Sequence, residues 1–542
     1  MAALRRKASG SIASSRRLVP WRLGRDGPGA GSPGFVGETG LSVRYPGGYA
    51  VQVPSDRRGG VMRTARVRLG LAVGLTVAAV ALSGCSGVKV PDAQHVSVPA
   101  TTDPWQLAGQ VSASGPSGPR QGVPDANLTA ENGDGGAIDK LALNAVSDVA
   151  DYWNTQYAEN FPGTFKPVTR FISWDSTAPR AQAVDFCRSS TFQQINAAYC
   201  SVDQTIGWDR GTLLPELVKK FGPMSVVMVL AHEYGHSIQA QAKLNGFLTS
   251  TVVREQQADC FAGVFLRAVA EGNSRHFTLN TTDGLNGVLA AVISFRDSEP
   301  GTTRDEHGTA FERVTAVQMG YTDGAASCKS ITRTELQKRR GTLPTSFQPG
   351  DKQRQLPVDQ PDLALVAQSL AENYPIQPAP SYDYRGVTRS CPKVTVTQPV
   401  SYCPSSNVIG TDVPTLAKRA LSGDRGELLS AVVGGDYNAF IVFVSRYMLA
   451  VQQDRKLALV GADGAGLRAA CLSGAYSTKL SRPGSTLQLS ATDLDAAISG
   501  LLSDGLAAAD VDGNVVSSGF VRLEAFRTGV LDGDDACLKA YR

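Results

Sequence analysis

Residues 231–241 read AHEYGHSIQAQ, which sets His232 and His236 four residues apart with Glu233 directly after the first. On an α-helix, residues four apart share one face, so both imidazoles can reach a single ion. Glu233 is angularly adjacent and can touch a water on that ion without ligating it. This HExxH arrangement carries metal-assisted hydrolysis, in which the ion acidifies a water and the glutamate takes its proton. The same residues also fit an amphipathic helix holding two of the chain's five histidines and no metal. The spacing alone does not choose, so the flanking elements must.

Pro223 suits a helix's first turn, Val226, Val227, Leu230 and Ile238 recur at helical spacing, and Asn245-Gly246 is a stop signal. The following segment, TSTVVREQQADCFAGVFLRAVAEG, predicts a second helix with Ser250 or Thr251 as N-cap and Gly272 as its stop. Val253, Cys260, Phe261 and Phe265 form its apolar stripe. Glu255 and Asp259 share a face of it. Glu255 can complete a His₂Glu ligand set that leaves the fourth position open, as a catalytic zinc requires. Asp259 can accept the outer N–H of a ligand histidine and fix its tautomer. Peptide hydrolysis also needs a donor for the oxyanion. His307, in RDEHGTAFER, is the candidate, with an ordinary surface-loop histidine as the alternative. His276 and His95 are read as surface-loop histidines. The strand-like YCSVDQTIGWD, from Tyr199, is either an edge on which a substrate backbone pairs or a structural hairpin.

The compartment follows from the leader. Residues 1–84 carry 13 Lys/Arg against 3 Asp/Glu, and the remainder 40 against 46, so the net charge of +4 conceals a mildly acidic body. Nothing in that balance suggests nucleic acid as a partner. At 62–84, Arg63, Arg66 and Arg68 precede the apolar run Leu69 to Leu82, the order of a secretory signal. The run is shorter than the roughly 17 to 25 residues that span a bilayer. Leu82, Ser83, Gly84 and Cys85 resemble a bacterial lipobox, which implies acylation of Cys85 and a lipid anchor on the outer face of the cell membrane. Plain secretion and an uncleaved anchor are the alternatives. Residues 1–61 are low in complexity and precede a signal that normally opens a chain, so translation is expected to begin at Met62. Residues 85–135, rich in Gly, Pro and Ser, read as a flexible tether.

Eight cysteines remain beyond Cys85, and their spacing repeats. A close pair, Cys187 and Cys200, precedes a wide pair, Cys260 and Cys328; Cys391 and Cys403 then precede Cys471 and Cys537. YCSVDQTIGWD matches YCPSSNVIGTD from Tyr402, LNTTDGLNGVLAA matches LSATDLDAAISGLL, and AFERVTAVQMGYTDGAASC matches GFVRLEAFRTGVLDGDDAC. Two copies of one domain are expected, at 136–345 and 346–542, with disulfides Cys187–Cys200, Cys260–Cys328, Cys391–Cys403 and Cys471–Cys537. In the second copy Ser445, Arg446 and Leu449 face His232, Glu233 and His236, while Gly466 and Ala470 face Glu255 and Asp259. That copy is expected to be non-catalytic. Val516 faces His307, whereas Arg522 faces Arg313, which marks Arg313 as scaffold.

HEYGH, the downstream REQQADCFAG, the preceding cysteine pair and HGTAFERVTAVQMGYTDGAASC together resemble the neutral zinc metallopeptidase family of bacterial envelope proteins, mycobacterial lipoprotein peptidases among them. The likeness covers roughly residues 138–328. It implies His232, His236 and Glu255 as zinc ligands, Glu233 as general base and a gluzincin-like fold. The fold expected is α+β, a zincin-like peptidase domain followed by a degenerate copy. The function expected is a lipid-anchored peptidase of the bacterial cell envelope that holds one zinc per chain and acts on peptide or protein. A non-enzymatic envelope binding protein with a structural zinc is the alternative.

Overall fold

Phe171, Ile172, Trp174, Ile206 and Trp208 build the first sheet of the computed structural model, which describes residues 106–107, 110–111, 114–297, 307–346, 355–421 and 427–541. Arg170–Trp174 runs parallel to Thr205–Asp209, which pairs on its other side with the antiparallel strand Ala197–Cys200. The central strand is buried along its whole length. Gly207 belongs there because the rings of Trp174 and Phe186 leave a Cβ no room. Ala197–Cys200 is left as an edge.

Helices complete the first half and give an α+β architecture. Ala137–Asn160 packs on Met224–Ala242, the histidine helix, which lies against Thr251–Ala270, the glutamate helix. The glutamate helix in turn crosses Ala310–Asp323 at close range. The crossing requires glycine, since a Cβ on Gly320 would strike the Cys260 carbonyl and one on Gly263 the Val317 carbonyl. The Cys260–Cys328 disulfide closes the same contact.

The second half presents the same devices. Ser381–Asp383 runs parallel to Val408–Thr411, which pairs antiparallel with Val400–Cys403. The helix Leu467–Leu480 crosses Gly519–Ala540 where a Cβ on Gly529 would strike the Cys471 carbonyl and one on Gly474 the Phe526 carbonyl. All four disulfides join the cysteines that the repeated spacing pairs. The halves share a boundary rather than a linker. Gln318 donates to the Phe520 carbonyl at 3.0 Å, the Phe311 N–H donates to Asp495 at 3.0 Å, and Arg296 donates to the Ser430 carbonyl at 3.1 Å.

Three expectations need correction. The tether does not extend to 135: Gly118–Pro119 pairs with Phe277–Thr278, Asn280 donates to the Gly115 carbonyl at 2.6 Å, and Glu131 exchanges backbone bonds with Phe171 and Ser173. A segment without an apolar period still carries a backbone donor and acceptor at most residues, and these residues strap across the body. His276 is buried beneath that strap, its Nδ1 on Asp148 at 2.5 Å and its Nε2 on the Pro124 carbonyl at 3.1 Å, so it is no surface-loop histidine. The histidine helix stops at Ala242, before Asn245-Gly246, because Lys243 takes the left-handed cap position at φ 53°. Asn245 instead donates its side chain to Gln257.

The leader at 62–84, Cys85 and His95 lie outside the described residues, and no described helix is long and apolar enough to cross a membrane.

Loop size ranks the disulfides. Opening Cys260–Cys328 by serine substitution should cost about 4 kcal/mol and opening Cys187–Cys200 about 3 kcal/mol, because the first closes the longer loop. Denaturant unfolding of the two double variants checks this, and a larger loss for Cys187–Cys200 would overturn the ranking.

Candidate metal centre

Gly235, between the two histidines, brings the histidine and glutamate helices together, since a Cβ there would sit 3.0 Å from the Cα of Ala258. At that separation His232, His236 and Glu255 each offer a ligand atom, all within 4.8 Å of one another. Glu255 lies with Oε2 at 3.2 Å from His232 Nε2 and Oε1 at 3.6 Å from His236 Nε2. The far nitrogens are both engaged. His232 Nδ1 meets Asp259 at 2.7 Å, and His236 Nδ1 meets the Gln239 side-chain oxygen at 3.1 Å. When each Nδ1 carries the proton, both Nε2 lone pairs turn towards Glu255, the orientation a shared ion demands. The chemistry of this donor set fits zinc or another divalent metal that accepts imidazole and carboxylate.

Asp259 is fully buried and holds more than the imidazole. Arg313 donates Nε to its Oδ2 at 2.9 Å and Nη2 to its Oδ1 at 2.8 Å, and Nη1 donates to the Phe295 carbonyl. Gln239 donates to the Arg254 carbonyl at 2.5 Å, which ties the histidine helix to the start of the glutamate helix. Tyr234 accepts the Val168 N–H at 2.8 Å and anchors the histidine helix on its other side.

Glu233 lies outside the three-residue ligand set. Its Oε2 accepts the N–H of Tyr199, on the edge strand, at 2.8 Å. A cavity of about 270 Å³ opens here, lined by Ala197, Ala198, Tyr199, the two histidines, Glu233, Glu255, His307 and Arg313 among others. His307 stands at the rim, half-exposed, with Nε2 at 3.9 Å from Glu255 and Nδ1 at 3.6 Å from Asp297. The Asp297 carboxylate accepts the backbone N–H of both His307 and Gly308 and fixes the turn.

Charge in the cluster is strongly coupled. Burial opposes protonation of His232, but Asp259, Glu255 and Glu233 outweigh it and lift the imidazole to about 10. Burial favours the neutral form of Glu255, yet the hydrogen bond and charge of His232, with His236 and His307, hold it down at about 2. Asp259 is likewise kept far below the carboxylate range by Arg313 and His232 in spite of its burial. Glu233 moves upward, because burial outweighs the neighbouring imidazoles. A carboxyl held above its ordinary range is a better proton acceptor near neutral pH.

Every residue singled out around HEYGH therefore converges: His232, His236, Glu233, Glu255, Asp259 and His307 border one cavity or support its wall. Arg313, marked as scaffold because Arg522 faces it, belongs to the site through Asp259. Arg522, which the expected repeat sets against Arg313, donates to backbone carbonyls, those of Leu501, Leu502, Val516 and Ser517. The pattern missed Gln239 and the Tyr199 N–H; the one signal for Gln239 was its place three residues after His236. In the second half, Arg446 is buried and donates to the carbonyls of Leu506, Ala509 and Asp510, Leu449 is fully buried, and Gly466 ends the π-helical turn Ala462–Gly466 that runs into the helix Leu467–Leu480.

An uncharacterized protein of Mycobacterium tuberculosis and one of Mycobacterium bovis are each 29% identical to this chain over 169 residues, a match covering 26% of the chain and 57% of each relative. The chain thus spans about half the length of the curated relatives it matches. No family model matches the chain, and no solved structure matches it.

The raised imidazole sets a pH dependence for the metal-free chain. His232 gains protons on folding, so its contribution to stability is complete below about pH 6.5 and is lost as pH rises through about 10. Glu255 acts oppositely, contributing above about pH 4.5 and failing as pH falls towards 2. In chelator, the unfolding midpoint should therefore decline from pH 6.5 to 10, and His232→Gln should flatten that alkaline decline. An unchanged slope in the variant would remove His232 as its source.

Proposed function

We propose that the chain is a zinc-dependent peptidase in which His232, His236 and Glu255 hold the ion and Glu233 is the general base. The observation that carries this is the placement of a base outside the ligand set yet beside it, on a cavity bordered by a sheet edge. A purely structural ion needs no base and usually has a closed shell. Zinc bound there would supply Lewis acidity, lowering the pKa of a coordinated water and polarising the substrate carbonyl. Glu233 takes the water's proton and passes it to the leaving amine. His307 at the rim donates to the oxyanion, and Arg313 and Asp259 act as positioning residues for His232.

The edge strand gives the substrate a track. The Tyr199 N–H points away from its partner strand towards Glu233, so by the alternation of antiparallel pairing Ala197 also turns its N–H and C=O outward. A substrate strand pairing with Ala197 and with the Tyr199 carbonyl lies across the cavity.

The wider reading is a zincin-like domain followed by a degenerate copy, in a lipoprotein anchored through Cys85 at the bacterial cell envelope. Support for two copies comes from the matching sheet orders, the matched disulfides and the glycine pairs at both helix crossings. The Gln239 bridge recurs as well, since Gln452 donates to the Ala465 carbonyl. The neutral zinc metallopeptidase resemblance and the lipobox supply the family and the anchor.

Kinetics test the roles. Glu233→Gln should retain zinc and lose peptide hydrolysis by orders of magnitude, whereas His236→Ala should lose the metal itself. His307→Ala should lower kcat with little change in KM, at a cost of about 3 kcal/mol. Metal analysis and turnover of a casein or peptide substrate read all three, and a fully active Glu233→Gln would sink the mechanism. Metal analysis should also give one zinc per chain. Ser445, Leu449 and Gly466 offer no imidazole or carboxylate where the repeat sets His232, His236 and Glu255, so a second equivalent of zinc per chain would count against the degenerate copy.

A further inference from the structure

A second cavity, of about 400 Å³, lies in the second half, away from the metal centre, and Asp436, Tyr437, Leu487, Gln488, Ser490 and Asp493 help line it. Asp436 and Asp493 are both more than nine-tenths buried. Asp493 is satisfied by the N–H and hydroxyl of Ser490. Asp436 is not, because Oδ2 accepts the Leu356 N–H at 2.6 Å while Oδ1 has no hydrogen-bond partner among the described residues.

The first half shows what fills such a place. If the halves are copies, Asp436 corresponds to Pro223, Leu487–Gln488 to Phe277–Thr278, Ser490 to Asn280, and Asp493 to Asp283. The strap meets the first three of these first-half positions and the residue after the fourth. Gly118 packs on Pro223, where a Cβ would approach the ring to 2.7 Å. Gly118–Pro119 pairs with Phe277–Thr278, the Gly115 carbonyl accepts from Asn280, and Ser117 abuts Gly284 at the start of Asp283–Ser294. An extended stretch of this chain thus occupies the first-half groove, and among the described residues no such stretch occupies its second-half counterpart.

We propose that this second-half cavity is a docking groove for an extended peptide segment bearing lysine or arginine, contributed by a protein partner. The comparison of grooves rests on reading the halves as copies; the cavity and the unpartnered carboxylate oxygen do not. Leu487 and Gln488 belong to no strand, and no backbone hydrogen bond of theirs to another described residue is seen, which leaves main chain for an incoming segment to pair with. Phe440, Val444 and Leu480 line the same cavity with apolar surface, which suits the methylene stem behind a cationic head. Where the strap meets a proline, this groove presents an acid. Burial pushes Asp436 up to about 6, and burial with the charge of Asp436 pushes Asp493 up to about 7, a strain that an incoming cation relieves.

Fluorescence anisotropy of the full chain with a labelled probe, Gly-Lys-Val-Lys-Val-Lys-Val-Gly, tests this at about pH 8 in the presence of chelator. Removing the metal separates the groove from the peptidase reading, since a chain with no hydrolytic activity would still bind. The lysine probe should bind saturably, and the same peptide with glutamate for lysine should not. The isosteric Asp436→Asn should weaken binding by at least about tenfold. A photo-crosslinker on the probe should label residues 485–490, a readout that does not depend on how the variant folds. Equal binding of the two probes, undiminished binding by a folded Asp436→Asn chain, or crosslinks confined elsewhere would each overturn the proposal, as would failure of the lysine probe to bind.

Discussion

One buried carboxylate organises the candidate metal centre. Asp259 has no solvent contact, so its charge is tolerable only with partners, and it takes them from two other helices. His232 comes from the histidine helix and Arg313 from Ala310–Asp323. The three helices are thus tied at one point, and the same bond that satisfies Asp259 sets the tautomer of His232. Removing Arg313 would leave a buried anion whose cheapest relief is a proton, and the imidazole would lose the acceptor that orients it. Stability and metal affinity are therefore one problem at this position. The upward shift of His232 expresses that coupling, because a metal must displace the proton that three carboxylates favour.

The second half answers the same burial problem with other chemistry. Arg446 is buried, and among the described residues no carboxylate meets its guanidinium in a hydrogen bond; three main-chain carbonyls do. Carbonyl dipoles satisfy the donors only in part electrostatically, and burial lowers Arg446 to about 10. Leu449 is fully buried on the same helix. The helix crossing, its glycines and its disulfide persist beneath these changes. A close helix contact depends on small residues at two positions and is indifferent to the polar groups a turn away, so a frame of this kind accommodates different side chains around it.

The strap shows how the two halves differ at their backs. In the first half, polar residues 114–120 seal a groove through backbone pairing and cover His276, whose bond to Asp148 would otherwise face water. In the second half, no such strap lies among the described residues over the cavity that Asp436 and Asp493 line. The contrast comes from main-chain hydrogen bonding, which composition does not record.

Short-range pattern carried much of this protein. The i, i+4 spacing of His232 and His236 and of Glu255 and Asp259 specified which faces could hold a metal, because a helix fixes those relations wherever it sits. Repetition of the cysteines specified all four disulfides. Tertiary structure alone decided that Arg313 reaches Asp259 across 54 residues, that the Tyr199 N–H meets Glu233 across 34, and that the segment expected to be a tether is a strap. These contacts depend on how helices cross and which sheet edge lies over them. Crossing distance is set by Gly235, Gly263 and Gly320, residues whose contribution is the absence of a side chain, and an absence has no periodicity to read.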